Sequence, residues 1–351
     1  MLRIYTLNDS EEWDRIVQSF REYNVYHLSG YVKGFYAHGD GEPLLIYFSS
    51  EPLKAVQVVM RRRISDNPCF SGKVETELYD LITPYGYGGW LLEGQGSVEQ
   101  MMAEYNSWCK KNHIVSEFIR FHPVLRNQKA VEDYYEVVPL GATVAMDVTS
   151  LQTIWDNLTS KNRNMVRKAQ KNGLHIYRAN GPEIYEVFRQ IYNQTMDRDC
   201  ADAYYYFGGS YYESMRNDLG NNAQVFYAQT EDGQIAAAAI MLGANGRLNY
   251  HLSGSRQDMQ RLAPTNLLLY EAACWGCENG YRTFHLGGGI GSREDSLLAF
   301  KKAFYRGDTC RYHIGKRIVD PDAYEMLVNL RGKPTDDTFF PAYRAKKRGE
   351  L

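Results

Sequence analysis

The run from Tyr281 to Phe304, YRTFHLGGGIGSREDSLLAFKKAF, holds the residues in this chain best suited to chemistry. A β-rich segment (Thr283 to Leu286) passes into Gly287, Gly288, Gly289 and Gly291, and then into a helical pattern opened by Ser292 and Asp295. Glycines permit positive φ and close approach to the main chain, and the start of the helix behind them offers unpaired N–H groups, so the loop suits the holding of a ligand. On the helix, Leu297, Phe300, Lys301 and Phe304 recur at the spacing of one face, which puts Lys301 on the apolar stripe and Lys302 off it. An inward lysine has two readings: a stem laid along the core with its ammonium snorkelling to water, or a cation aimed into a cleft. His122 precedes Pro123 at the end of the strand VSEFIRF. An imidazole with an ordinary pKa near ~6.5 accepts a proton at neutral pH, although the position also suits a loop cap. His285, inside FHL, reads as packed core.

Basic residues form the next constellation. Lys161, Arg163, Arg167, Lys168, Lys171 and Arg178 follow one another with no acid among them, and Arg163, Arg167 and Lys171 share a helical face. That face either meets the phosphates of tRNA or of a nucleotide-linked or lipid-linked precursor, or is an ordinary solvated surface. The basic tail AKKRGEL reads as a frayed terminus.

The elements that must position these residues alternate between strand and helix. A strand (Leu2 to Tyr5) and a helix with Trp13, Ile16, Val17 and Phe20 at helical spacing open the chain. A hairpin turning at Ser49 to Pro52, a helix from about Ser97 to Asn112, and the strand ending at His122 follow. The second half repeats that order: helices LQTIWDNL and SKNRNMVRKAQKNG, the latter capped by Ser160, then a strand, a helix from Pro182 to about Arg198 and a tyrosine-rich segment. A hairpin around Asp232 and Gly233, a helix from Thr265 to Asn279, and YRTFHL complete it. The expectation is an α/β (α+β) protein of two tandem domains, 1–145 and 146–351, each a mixed sheet flanked by helices, with a ligand cleft between them.

Composition supports two ordered domains, since 44% hydrophobic and 23% charged residues are globular proportions. A formal net charge of -2 excludes a globally basic nucleic-acid binder while leaving room for a local patch. The amino terminus lacks a basic-then-apolar layout and no run approaches a membrane span, so a cytoplasmic protein is expected. The 6 cysteines are scattered, which fits reduced thiols. Cys274 and Cys277 continue the helical stripe of Leu267 and Tyr270, so they read as core, and no second CxxC completes a zinc site; no metal is expected.

Three blocks, SKNRNMVRKAQKNG, PTNLLLYEAACWGCENGYRTFHLGGG and DSLLAFKKAF, resemble the FemABX-type transferases and their relatives in the GNAT acyltransferase superfamily over most of residues 150 to 312. YHLSGYVKGF and FIRFHP also resemble segments of that family, although the family's strand-end aspartate is His122 here. The resemblance implies two GNAT-like domains, an acceptor side first and a donor side second. FemABX members join an amino acid from aminoacyl-tRNA to the peptide of a peptidoglycan precursor, and other GNAT relatives use acyl-CoA. The CoA pattern is matched only loosely at Gln260, Ala263 and Thr265, and Pro264 between them has no N–H for a pyrophosphate. An aminoacyl-tRNA donor is therefore expected, with acyl-CoA as the alternative co-substrate and no permanently bound cofactor.

On this reading Lys301 stabilises the oxyanion, His122 takes the proton, and Phe300 with Gly287, Gly288 and Gly289 holds the donor. Lys33, Tyr85, Tyr87 and Arg198 line the acceptor, and Arg163, Arg167 and Lys171 contact phosphate or RNA. The implied partners are a small-molecule or lipid-linked acceptor and tRNA, with peripheral contact at the inner membrane surface. The competing readings are an acyl-CoA-dependent N-acyltransferase acting on an amino sugar or peptide amine, and a non-catalytic module that keeps the fold and only binds.

Overall fold

The strand and helix expected from the first twenty residues form as β1 (Leu2–Tyr5) and α1 (Ser10–Gln18), with Trp13, Ile16 and Val17 buried at the expected spacing. The computed structural model describes residues 1–332, 336 and 338–346; the end of the basic tail, 347–351, lies outside them. Next comes α2 (Ser29–His38), ended by Gly39 in the left-handed region. It is followed by β2 (Glu42–Ser50), β3 (Leu53–Arg63), β4 (Tyr79–Ile82), β5 (Leu91–Glu93), α3 (Val98–Lys111) and β6 (Ile114–Arg120). The Ser97 hydroxyl accepts from Gln100 N and caps α3.

Beyond β6 run β7 (Glu136–Asp147), α4 (Leu151–Asn157), α5 (Ser160–Lys171), β8 (His175–Ala179), α6 (Pro182–Arg198) and α7 (Gly209–Asn217). Then come β9 (Ala223–Gln229), β10 (Ile235–Ala244), β11 (Arg247–Ser255), α8 (Pro264–Glu278), β12 (Thr283–Gly288) and α9 (Ser296–Lys302). The chain closes with β13 (Cys310–Ile318) and α10 (Pro321–Arg331). The cap of α5 is Thr159, one residue before the expected Ser160, because its Oγ1 reaches Asn162 N.

Two units result: Met1–Leu140 with His313–Leu351, and Gly141–Tyr312. In the first, β1, β2, β3, β4, β6 and β13 lie in that order, antiparallel except for the parallel β4–β6 pair, with β5 also on β3. Leu44, Ile46, Val59, Trp90, Tyr105 and Ile119 belong to its core. A buried ionic centre joins β6 to β13: Glu117 takes Arg317 in bonds of 3.0 and 2.8 Å and the hydroxyls of Tyr105 and Tyr135 at 3.0 Å each. In the second unit the order is β7, β12, β11, β10, β9, β8, with β11–β12 parallel. Met146, Val166, Ala239, Leu268, Phe284 and Phe304 lie in its core, and Cys274 and Cys277 pack against it as free thiols. Each unit is thus a mixed sheet flanked by helices. Among the described residues no helix is long and apolar enough to cross a membrane, and no group of three or more His, Cys, Asp or Glu is arranged to hold a metal ion.

Candidate functional site

Strand β12 has different neighbours along its two edges. Against β7 it pairs from Thr283–Asp147 to Gly288–Thr143, with a register shift between His285 and Gly287. Against β11 it pairs in parallel only at Thr283–His285, opposite Arg247–Asn249. The glycine run therefore begins inside the sheet: Gly287, at φ 78, and Gly288 are strand residues, and the loop proper starts at Gly289. Pairing with a distant strand outweighed the local turn signal of three glycines. A side chain at Gly289 would collide with the Arg293 carbonyl and the Asp295 carboxylate, so glycine is required by close approach there.

Asp295 fastens this loop. Its carboxylate accepts from Ile290 N and Leu298 N at 2.8 Å each, capping α9, and these bonds hold it below the usual carboxylate range. The helix is short and presents Leu298, rather than Leu297, together with Lys301 to the interior. Lys301 is 8% exposed, whereas Lys302 faces out and meets Glu294 at 3.6 Å. Lys301 Nζ donates to Gly288 O at 2.7 Å and lies 5.9 Å from the centroid of the Tyr250 ring. It thus joins β12 and β11 just past the point where their pairing ends. Burial lowers the ammonium to about 8, partly offset by Asp295, so it is mainly charged at pH 7. Beside it His285 is pushed down to about 3, by burial first and then by Lys301, and is neutral. The Tyr250 hydroxyl contacts Ser253 Oγ at 2.5 Å, and His251 Nε2 lies 2.7 Å from the Tyr211 hydroxyl. Phe300 is half-buried, edge-on to Phe304 at 5.3 Å.

A partly buried ammonium that uses one donor on a carbonyl, flanked by neutral rings, can stabilise negative charge developing on an oxygen. Its protonation sets a sign for pH effects. Because the folded value lies below the ordinary 10.5, the unfolded state binds more protons between about 8 and 10.5. The stability increment from neutral Lys301 is present above that window and lost as pH falls through it. Any activity that needs the cation falls as pH rises through about 8, an outcome that a rate profile from pH 6 to 10 checks; a flat profile contradicts it.

The first unit gathers other expected residues. His122 is buried, its Nε2 2.9 Å from Asn24 Nδ2, while its Nδ1 accepts from Val124 N and Leu125 N at 3.3 and 3.4 Å. Tyr26 and Tyr87 flank the ring with centroids 5.9 and 5.5 Å away. To act as a proton acceptor His122 would have to surrender the bonds that shape the turn after β6. Tyr85 and Tyr87 are half-buried on the glycine loop, where a side chain at Gly86, at φ 91, would run into the Tyr26 ring. The Tyr31 hydroxyl on α2 donates to the Tyr85 carbonyl, and Lys33 is half-buried on the same helix.

The remaining expected residues lie in the second unit. Arg198 Nη1 donates to Ser255 O at 3.2 Å, tying the end of α6 to the end of β11. On α5, Arg167 and Lys171 are exposed and Arg163 half-buried, with the Arg167 guanidinium 5.1 Å over the Trp155 ring. At the start of α8, Ala263 sits in the left-handed region, its N–H is committed to Gln260 O at 3.0 Å, and Pro264 has none. The contribution of Tyr250 escaped the sequence because nothing local links it to Lys301; Asp295 had the ordinary cap signal, three residues before Leu298.

Residues 160–315 match the acetyltransferase (GNAT) domain family. Among solved structures, FemX is similar over 93% of this chain and 99% of its own, at 14% identity and a TM-score of 0.67. L-PGS from Bacillus licheniformis is similar over 92% and 96%, at 16% identity and TM-score 0.55. The C-terminal domain of a putative lysylphosphatidylglycerol synthetase from Agrobacterium fabrum covers 88% and 92%, at 14% and 0.55. No curated protein matches the chain at a significant level. Likenesses of this identity establish shared fold, and the family match establishes the domain. Residues 160–315, somewhat under half of the chain, match the GNAT acetyltransferase domain, and this match together with the shared fold supports an acyltransferase.

Proposed function

We propose that the protein transfers an aminoacyl group from aminoacyl-tRNA to an amine of a cell-envelope precursor, a peptidoglycan or surface-glycan intermediate. The observation that carries this reading is the Lys301 ammonium, buried and held at 2.7 Å on Gly288 where β11 and β12 part. The acceptor amine attacks the ester carbonyl and negative charge collects on its oxygen, which Lys301 meets. The adduct collapses as the C–N bond remains and the C–O bond breaks, and the amine proton passes to the departing ribose hydroxyl. His122, enclosed as it is, serves this scheme by holding the turn at 122–127. Phe300 and the 287–289 glycines shape the donor side, and Arg198, in the same unit, contacts the acceptor; Lys33, Tyr85 and Tyr87 are the acceptor-binding candidates of the first unit.

The donor follows from α8. A pyrophosphate cradle needs backbone N–H groups, and at this helix start one is committed and one absent. The resemblance of SKNRNMVRKAQKNG and DSLLAFKKAF to FemABX-type transferases agrees with an aminoacyl donor. The second reading, acyl-CoA as donor, is favoured by the family match itself, whose description is acetyl transfer. Incubation with an amine and either charged tRNA or acyl-CoA separates them: the proposal expects tRNA discharge with amide formation, and thiol release from CoA alone would replace it with the second reading.

The α5 face supplies the phosphate contacts of this proposal. Replacing Arg163, Arg167 and Lys171 together by alanine is expected to weaken tRNA binding and flatten its log–log salt dependence by roughly 2 to 3, at about 0.7 to 0.9 for each phosphate no longer neutralised. A titration of affinity against salt reads this directly; an unchanged slope removes the face from the interface.

A further inference from the structure

Helices α6 and α7 start with the same chemistry at the same offsets. Tyr185, Glu186 and Arg189 lie on α6 in the pattern YExxR, and Tyr212, Glu213 and Arg216 repeat it on α7. All six line a single cavity of about 270 Å³ in the second unit, and none belongs to the Lys301 site. That volume lies just below the ~300 Å³ at which pockets for drug-sized ligands begin, so it suits a smaller molecule.

The cavity contains an unmet demand. Tyr185 and Tyr212 are 3% and 4% exposed, yet among the described residues neither hydroxyl has a hydrogen-bond partner. Buried phenols ordinarily find one. Burial raises both hydroxyls above their ordinary range, offset in part by the charge of Arg216 at Tyr185 and of Arg189 at Tyr212, so both stay protonated. Glu186 takes Arg189 in two 3.0 Å bonds, Arg216 Nε donates to Asn217 at 3.1 Å, and Glu186 and Glu213 are both exposed. Two cations and two anions therefore line the same cavity as two neutral phenols. A simple anion would meet Glu186 and Glu213, and a simple cation would meet Arg189 and Arg216; a molecule carrying both charges is favoured by both sets.

We propose that the cavity between α6 and α7 binds a small zwitterion of the free α-amino-acid class, its carboxylate on the two tyrosine hydroxyls and Arg216 and its ammonium on Glu213. The inference stands apart from the identity of the acyl donor and does not depend on it.

Calorimetric titration of the full chain with glycine, L-alanine and L-lysine tests the site, with acetate, methylammonium and glucose as single-charge and neutral controls. Saturable binding of at least one amino acid at one site is expected, with each control at least tenfold weaker. The double variant Tyr185→Phe/Tyr212→Phe should weaken that binding at least tenfold while unfolding cooperatively at no lower temperature, since it removes two unpartnered hydroxyls and keeps the rings. Glu213→Gln, an exposed change, should weaken it as well. Absence of saturable binding, equal binding of any control, or full binding by the double phenylalanine variant overturns the proposal.

Discussion

Lys301→Met is expected to lower turnover by about 10²-fold to 10³-fold, the loss that follows removal of one oxyanion donor. The protein should stay folded. The substitution keeps a straight aliphatic stem at a buried position near the Tyr250 ring, and it removes an ammonium whose pKa burial has already lowered to about 8. Exchanging a desolvated charge for an apolar group of similar shape is neutral or stabilising in many proteins. The effect should fall on kcat, because negative charge on the carbonyl oxygen exists only in the transition state and the adduct that follows. A thermal melt beside a single-turnover rate measures both halves. An unchanged rate would remove Lys301 from the chemistry, and loss of the cooperative melt would make its bond to Gly288 structural.

The second large effect concerns stability in the first unit. Glu117→Ala should cost about 3 to 5 kcal/mol, the usual penalty for leaving one member of a buried ion pair without the other. Glu117 is fully buried, and its two oxygens are shared among Arg317, Tyr105, Tyr135 and Gln57. Burial and then the Glu117 charge push both tyrosine hydroxyls well above their ordinary range, so they remain donors at every pH of interest. The Arg317 guanidinium also lies over the rings of Tyr105 and Tyr135 at 4.7 and 5.3 Å, and would be stranded between them. Since a domain is stable by only about 5 to 15 kcal/mol, this is a large share. Chemical denaturation of Glu117→Ala and of the double variant Glu117→Leu/Arg317→Met distinguishes the causes. The double should recover much of the loss, and equal losses would show that the cost comes from packing alone.

Local signals carried far in this chain. Helical spacing alone separated Lys301 from Lys302, and the first lies inside while the second meets Glu294 at the surface. Pro182 at a helix start and Ser97 three residues before Gln100 marked their helices in the letters themselves. Non-local pairing hid the rest. Gly287 and Gly288 read as a turn until β7, far away in sequence, claims them as strand. His122 read as either a base or a loop cap, and the Asn24 amide that meets its Nε2 lies 98 residues earlier, outside any local window. Tyr250 sits beside Lys301 only because a parallel strand pair ends where it does. The two YExxR segments were visible as letters, but their meaning depends on two helices facing one cavity, which no window of sequence contains.

Amide formation by aminoacyl transfer, with Lys301 as the oxyanion partner, can be followed in a single-turnover reaction of the full chain. The substrates are tRNA carrying a radiolabelled amino acid and a cell-envelope precursor bearing a free amine, with product mass measured alongside label. Expected are label in an alkali-stable amide, discharge of the tRNA in equal amount, and a fall in both by at least about 10² in Lys301→Met. Label that stays on tRNA while acyl-CoA releases thiol to the same amine, or transfer that Lys301→Met leaves intact, would contradict that chemistry.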